Sequence, residues 1–449
     1  MTSQIKKENH GVFSCLVTLL ILLLFTRYSF NVDIPRAVLT SVVIAIAVIG
    51  TKDEILAISL CCIPLHEAID FYVALIACAV MLIAKNPRLM KSKVFIILGL
   101  FVVFWELLHC VSIDFSFVSL IIAIVPMAFL IIVLSFDISE IDYPFIVRSL
   151  AVMSAAHCTV VLLNYIVQSD FDFIEAVLNL QRLGLINTDD ALLGGRINPN
   201  SLGVINVLVV TGLFQLRSLN RQRKVDYILS TVLVVFGVLT ASRTFLICLL
   251  IMFILLIMGQ KGNIRKKISF IVVLIGSIGV AWLLLNWLFP SVLEYFIGRF
   301  QVADITTGRD MLMLRYHNYI VNNIWVLFFG IGSTELSHKA VNVYQITNNG
   351  PHNSIQEIVL AWGIPGLLII GLLVFIMFTE SKRYSKKKIL LNFIPLIIIF
   401  AKSMAGQLLT SGYTMLAMAF AYLSLCQDFT DKKFSDEKDC NLVTNNTEI

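Results

Sequence analysis

Four short stretches carry the side chains best suited to chemistry, and each lies where an apolar run begins or ends. In "GGRINPNSLGV" (194–204) Arg196 precedes a Pro/Asn turn. In "TASRT" (240–244) Arg243 stands between two apolar runs with almost no loop around it. In "TTGRDMLML" (306–314) Arg309 opens a helical stretch, and in "PHNSIQEIVLAWGIPGLL" (351–368) His352 leads into a long apolar helix. A guanidinium stays charged, and its planar fork binds phosphate oxygens two at a time. A histidine just ahead of a helix start lies in a field equivalent to about half a positive charge, which favours the neutral, proton-accepting ring. The same helix start attracts phosphate. Together the four describe a cationic pocket with one neutral base, suited to a membrane-level diphosphate.

Each stretch also has a plain structural reading. Arg243 fits an arginine snorkelling to head-group level, with Ser242 or Thr244 capping the next helix. Asn198, Pro199 and Asn200 fit a turn followed by a helix cap, and "FFGIGS" (328–333) fits a glycine turn. Thr307 and Asp310 have the capping-box spacing, which puts Arg309 in a first helical turn. Leu312, Tyr316 and Ile320 then form one stripe, with Arg309 on that side and Arg315 and Asn322 pointing elsewhere. Such a helix suits the membrane surface, its arginines meeting lipid phosphates. Asn353 with Gln356 resembles a cap pair that starts a helix at Ser354, and His352 there serves equally as part of the cap. The coincidence of all four at segment ends favours a site.

The elements that must position these residues are membrane spans. The chain has 449 residues, 58% hydrophobic and only 14% charged, against about a quarter charged in soluble domains. Apolar runs recur near 12–30, 35–50, 55–64, 68–84, 94–110, 117–135, 145–167, 200–216, 227–240, 244–259, 268–289, 355–378, 389–401 and 408–426. About 20 residues suffice for one crossing, so we expect an all-α polytopic protein with about 12–14 transmembrane segments. Runs 55–64 and 389–401 are short for straight spans, and the first reads as half of a helical hairpin broken near Pro64. Lys6 and Lys7 precede the first run, which reads as a retained signal anchor because no cleavage pattern follows it.

Lys/Arg clusters at 85–93, 217–224, 260–267 and 381–388 mark cytoplasmic loops. With the N-terminus inside as well, two long polar loops, about 168–199 and 290–354, fall on the outer face. One polytopic domain then covers 1–426, and a disordered cytoplasmic tail covers 427–449. Arginine is unexpected on the outer face, yet Arg182, Arg196, Arg243, Arg299, Arg309 and Arg315 all map there. The net charge of +5 is therefore a topology signal rather than a sign of nucleic-acid binding. The nine cysteines lie mostly within apolar runs, which suggests neither a disulfide framework nor a zinc site.

In order and spacing across roughly 190–380, "TASRT", "TTGRDMLML", "FFGIGS" and "PHNSIQEIVLAWGIPGLL" resemble the O-antigen polymerase and ligase superfamily, and "NPN" at 198–200 resembles its Wzy-type polymerase branch. The N-terminal third matches only as apolar spans. The resemblance implies a GT-C-like, inverting, metal-independent membrane glycosyltransferase without a cofactor. Its substrate would be undecaprenyl-diphosphate-linked oligosaccharide at the outer face of a bacterial inner or plasma membrane. Its partners would be membrane lipids and the flippase and chain-length regulator of the same pathway. The products in view are O-antigen of lipopolysaccharide, capsule or exopolysaccharide. Arg243, Arg309 and His352 map onto the superfamily's functional arginines and histidine. Arg196, Arg299, Arg315, Asn353 and Tyr316 are added as binders of diphosphate or glycan. Two other functions share many of these features. A ligase would pass finished polymer to lipid A core or another acceptor. A transporter or flippase for lipid-linked sugars would need charge near the middle of its spans, where this chain offers few candidates: Glu106, His109 and Lys402.

Overall fold

The computed structural model describes residues 10–30, 32–85, 93–111, 117–169, 172–180, 182–184, 198–259, 286–301, 309–332, 353–385, 389–404 and 412–428, with positions 268, 272, 276, 279, 282, 283 and 406 between them. Among the described residues the regular structure is entirely helical. The helices are α1 (Gly11–Ser29), α2 (Arg36–Ile49), α3 (Lys52–Leu65), α4 (Phe71–Lys85), α5 (Lys93–Val111), α6 (Phe117–Leu134), α7 (Tyr143–Gln168), α8 (Phe173–Asn179), α9 (Pro199–Ser218), α10 (Lys224–Leu239), α11 (Arg243–Gly259), α12 (Pro290–Gln301), α13 (Arg309–Asn322), α14 (Ile324–Phe329), α15 (Ser354–Ser381), α16 (Leu390–Ser403) and α17 (Gly412–Cys426). They follow the apolar runs within a few residues. The run 268–289 and the tail beyond residue 428 lie largely or wholly outside the described residues. Among the described residues four helices, α1, α7, α9 and α15, are long and apolar enough to cross a membrane by length and composition.

Local chemistry sets the helix starts. Thr51 and Glu54 form a reciprocal capping box at α3. Asn198 caps α9, with Pro199 as its first helical residue, where a missing N–H costs nothing. Helices α9 and α17 are buried almost along their whole length. The outer helices instead turn large apolar side chains away from the bundle, among them Leu22 on α1, Val80 on α4, Phe104 on α5, Leu250 on α11 and Phe375 on α15. A bundle that is apolar on its outside as well as its inside is built for lipid rather than water. Near the α10–α11 turn, Phe245 presses on Gly203 of α9 and Gly237 of α10, where any Cβ would collide with its ring or Cβ.

The most unusual element is α15. Gly363 leaves helical geometry at φ 68°, ψ −159°, and Pro365 follows two residues later. Proline has no N–H to give the Ala361 carbonyl, and the break also frees that of Leu360. Both find donors from another segment: Ile331 N–H to Leu360 O at 2.7 Å and Gly332 N–H to Ala361 O at 2.8 Å. The "FFGIG" backbone thus completes a broken helix, a role more specific than a turn. A Cβ at Gly330 would lie 2.3 Å from the Ala361 carbonyl, and one at Gly363 would lie 2.6 Å from Phe328. Helix α5 closes the junction from the other side. Glu106, fully buried, accepts from Trp362 Nε1 at 2.5 Å, and His109 Nε2 meets the Phe329 carbonyl at 2.8 Å.

The helices alternate between two ends. One end holds the described parts of the basic clusters expected inside. There Arg148 on α7 grips Asp226 at the start of α10 through two bonds of 2.9 and 3.0 Å, and Arg223 N–H adds a third to the same carboxylate at 2.7 Å. Burial pushes the Asp226 carboxyl up, but the Arg148 hydrogen bonds, the Arg223 N–H and the two positive charges outweigh it and hold it below its ordinary value. A carboxyl held low in the folded state stabilises the protein above its ordinary pKa, and that stability is lost as pH falls through the folded value.

In detergent micelles Asp226→Asn should cost on the order of 3 kcal/mol at pH 7 and flatten the acid-side fall of Tm seen in the unmodified protein. Gly330→Ala should destabilise by more than about 2 kcal/mol, since it forces a left-handed residue with a Cβ into backbone. Gly371→Ala, with nothing within 4 Å of the added Cβ, should be neutral or slightly stabilising by the same thermal melt.

Candidate functional site

The opposite end of the bundle gathers the polar segment ends. Its first component is a knot around Arg182, which is 9% exposed. Arg182 Nε donates to the Thr240 carbonyl at 2.8 Å, and its Nη2 donates to Asn200 Oδ1 at 2.6 Å. Ser242 Oγ donates to the same Asn200 oxygen at 2.9 Å, and Tyr165 OH donates to the Arg182 carbonyl at 3.0 Å. Leu183 N–H adds a bond to the Leu239 carbonyl. One buried guanidinium therefore locks the α10–α11 turn onto the start of α9. The turn itself needs a left-handed residue, Ala241 at φ 46°. Ser242 then caps α11 by accepting from Phe245 N–H at 3.3 Å. Arg243 is the first residue of α11, half-buried, and its position is fixed by the turn.

The second component lies around Lys402 at the end of α16, also 9% exposed. Lys402 Nζ donates to Thr414 Oγ1 at 3.1 Å and lies 4.9 Å from the centre of the Tyr413 ring. Tyr413 OH donates to Ser201 Oγ at 3.1 Å, one residue from Asn200. On its other side Lys402 neighbours Gly406, whose carbonyl accepts from Ser354 Oγ at 3.2 Å. A continuous polar path thus runs from Arg243 through Ser242, Asn200–Ser201, Tyr413, Lys402 and Gly406 to Ser354.

The third component is the start of α15. Asn353 Oδ1 accepts from Ile355 and Gln356 N–H, so the helix begins at Ser354 as the cap pattern predicts. The expected reciprocal partner behaves otherwise. The Gln356 amide donates to the Met313 carbonyl of α13 at 3.0 Å, a tertiary contact in place of a cap. That bond docks the arginine-bearing helix of the long loop onto the α15 start. Tyr316 and Tyr319 face inward on α13 with Leu312 and Ile320 half-buried, while Arg315 and Asn322 are exposed. Burial pushes the Tyr316 phenol up, which keeps it a neutral hydrogen-bond donor.

Of the residues expected at a site, Arg243, Arg309, Tyr316 and Asn353 reach this end on three elements, α11, α13 and the start of α15, and Arg315 lies on α13 facing out. Arg196 and His352 lie outside the described residues, each within two residues of a described cap, Asn198 and Asn353. Arg299 belongs to α12, but its side chain lies outside the described set, as does Thr307. Arg182, Asn200, Lys402 and Tyr413 are the members that motif reasoning did not place in the site. Lys402 could have been found as a lone cation closing an apolar run. Arg182 stands out in the sequence only as one of the outer-face arginines, and its partners, 18 and 58 residues away, are not readable from it. No known protein family, curated protein or solved structure matches the chain.

Arg182→Lys should expose how much this end depends on the forked contact. A lysine cannot reach the Thr240 and Asn200 oxygens in that geometry, and an unpaired buried acceptor costs about 1–3 kcal/mol. Thermal melts should show that loss, with Ser242→Ala, which keeps the guanidinium, falling less.

Proposed function

We propose that the protein is a Wzy-type polysaccharide polymerase of the bacterial inner or plasma membrane. It extends a glycan by transferring it from undecaprenyl diphosphate to a lipid-linked repeat unit at the outer face. The observation that carries the reading is the polar path. Four segments bearing the expected motifs meet at one end of the bundle, joined by Ser242–Asn200, Tyr413–Ser201, Ser354–Gly406 and Gln356–Met313. In the proposed topology this end faces outward, opposite the basic clusters.

In this mechanism an acceptor-sugar hydroxyl attacks the donor's anomeric carbon from the face opposite the diphosphate. The new C–O bond forms as the bond to diphosphate breaks, and the electron pair leaves on the diphosphate oxygen. Arg243 and Arg309 neutralise that oxygen, an electrostatic stabilisation of the developing charge. His352 receives the hydroxyl proton as general base. Asn353 holds the start of α15 that places His352, and Lys402 keeps this end cationic from below. Arg196, Arg299 and Arg315 supply further guanidinium groups for the phosphates of the second lipid, while Tyr316 donates a hydrogen bond to glycan.

Arg309→Lys keeps the charge and loses the fork, so polymer formation should fall by about 10²–10³-fold if the contact acts as an oxyanion-type donor. Near-normal polymer from that variant would argue against bidentate binding. The function itself is tested by deleting the gene and profiling sugar-bearing lipids. Single repeat units alone are the expected outcome. Full-length polymer accumulating on undecaprenyl diphosphate would instead make the protein a ligase.

A further inference from the structure

The sequence puts 290–354 in a polar loop on the outer face, yet the end of that loop nearest α15 presents an apolar surface. Helix α14, Ile324–Phe329, reads IWVLFF and has no polar side chain. Val326 packs inward, while Ile324, Trp325, Phe328 and Phe329 are 67%, 49%, 52% and 58% exposed. Positions 324, 325, 328 and 329 share one helix face. Val321, on the last turn of α13, is exposed as well. The stripe expected to lie on the membrane, Leu312, Tyr316 and Ile320, faces the protein instead, with Tyr316 buried and the other two half-buried. What α13 and α14 turn outward is a different and more apolar surface. An aqueous loop has no use for it.

The depth of α14 identifies what covers it. The helix is fixed to the break in α15: a Cβ at Gly363 would lie 2.6 Å from the Phe328 backbone carbon, and Ile331 N–H bonds the Leu360 carbonyl. Past the break α15 runs helically from Ile364 to Ser381, where the basic cluster 381–388 begins. At about 1.5 Å per residue that arm is about 27 Å long, nearly the whole hydrocarbon core of about 30 Å. Gly363 therefore stands at the far edge of the core, and any tilt of the arm carries it deeper. Leu368, Leu372 and Phe375 form an exposed stripe along the same arm. A segment bonded at the level of Gly363 meets acyl chains and not water, and tryptophan is enriched at that boundary. The non-helical backbone after α14 fits the same depth. Gly330, Ile331 and Gly332 are buried, and the amides of the last two are bonded to α15, as irregular backbone at membrane depth requires.

We infer that α14 and the last turn of α13 are inserted in the leaflet opposite the basic clusters, with acyl chains covering Ile324, Trp325, Phe328 and Phe329. The inner end of the long loop is then a strap lying in lipid. It sets the height of the loop's cations. Gln356, which holds α13 at Met313, precedes the break by about 10 Å of helix, so Arg315 is held near head-group level. The inference rests on the topology of the proposed function and not on its glycan chemistry.

The test compares the full-length protein with its Trp325→Phe variant in phosphatidylcholine vesicles, with and without bromine high on the acyl chains. The other tryptophans are common to both, so the difference in emission belongs to Trp325. That difference should be blue-shifted, strongly quenched by brominated lipid and hardly touched by iodide present on both sides of the membrane. Quenching by iodide and not by brominated lipid would overturn the inference and return the segment to water. Shielding from both quenchers would overturn it too, assigning the surface to a second copy of the chain. A deletion strain whose full-length polymer stays on its carrier lipid would defeat the polymerase reading and leave the lipid-bound strap intact.

Discussion

Every backbone N–H and C=O inside an apolar bundle must find a partner within the protein, because lipid offers none. That requirement explains the arrangement of the C-terminal half. A helix interrupted by Gly363 and Pro365 leaves the Leu360 and Ala361 carbonyls bare, and at this depth each bare group costs several kcal/mol. The structure satisfies them with the N–H groups of Ile331 and Gly332, which come from the long loop. The loop therefore cannot be an independent appendage. Its inner half, from α13 to Gly332, is tied to α15 by hydrogen bonds at two heights: Gln356 to Met313 near the helix start, and the "GIG" backbone at the break. Close approach of two backbones then demands glycine at 330 and 363, and Gly332, like them at positive φ, faces the His109 side chain. Glu106 and His109 bind the same junction from α5, so two of the charged or titratable residues of the spans help hold its parts together.

The same logic governs the knot at Arg182. A guanidinium only 9% exposed is tolerable only when its donors are used, and here they clamp two turns whose own carbonyls and amides need partners. The α10–α11 turn is so short that its Thr240 carbonyl has nothing of its own to bond. The segment at 180–184 supplies the donor from 58 residues away. The consequence for the proposed chemistry is positional. Arg243, first residue of α11, inherits a rigid mount, and rigidity is what an electrostatic catalyst needs if its charge is to meet a leaving group without reorganisation.

Much of this was legible in the sequence, and the reasons divide cleanly. Helix positions came through because apolar runs and caps are local: Asn198 before Pro199, Asn353 before Ser354, and the short hairpin ending by Pro64 can all be read from a few neighbouring residues. The docking of the elements was not legible. Gln356 has the spacing of a capping partner, but tertiary context gave it to Met313 instead. "FFGIGS" reads as an ordinary turn because the carbonyls it completes lie some 30 residues further on. Arg182 and Lys402 act through partners that no periodicity identifies.

Short elements are what allow polar chemistry at membrane depth in this fold. A full-length helix carries its polar ends to the surface, whereas a hairpin of 14 and 15 residues leaves its turn, and the His66–Glu67 pair on it, part-way down. Helix α16, also 14 residues, ends at Ser403, one residue past Lys402, and α15 breaks at Gly363, nine residues past its start at Ser354. Each shortfall leaves backbone or polar side chains that a neighbouring element must satisfy, as Thr414 does for Lys402 and the Ile331 and Gly332 amides do for α15.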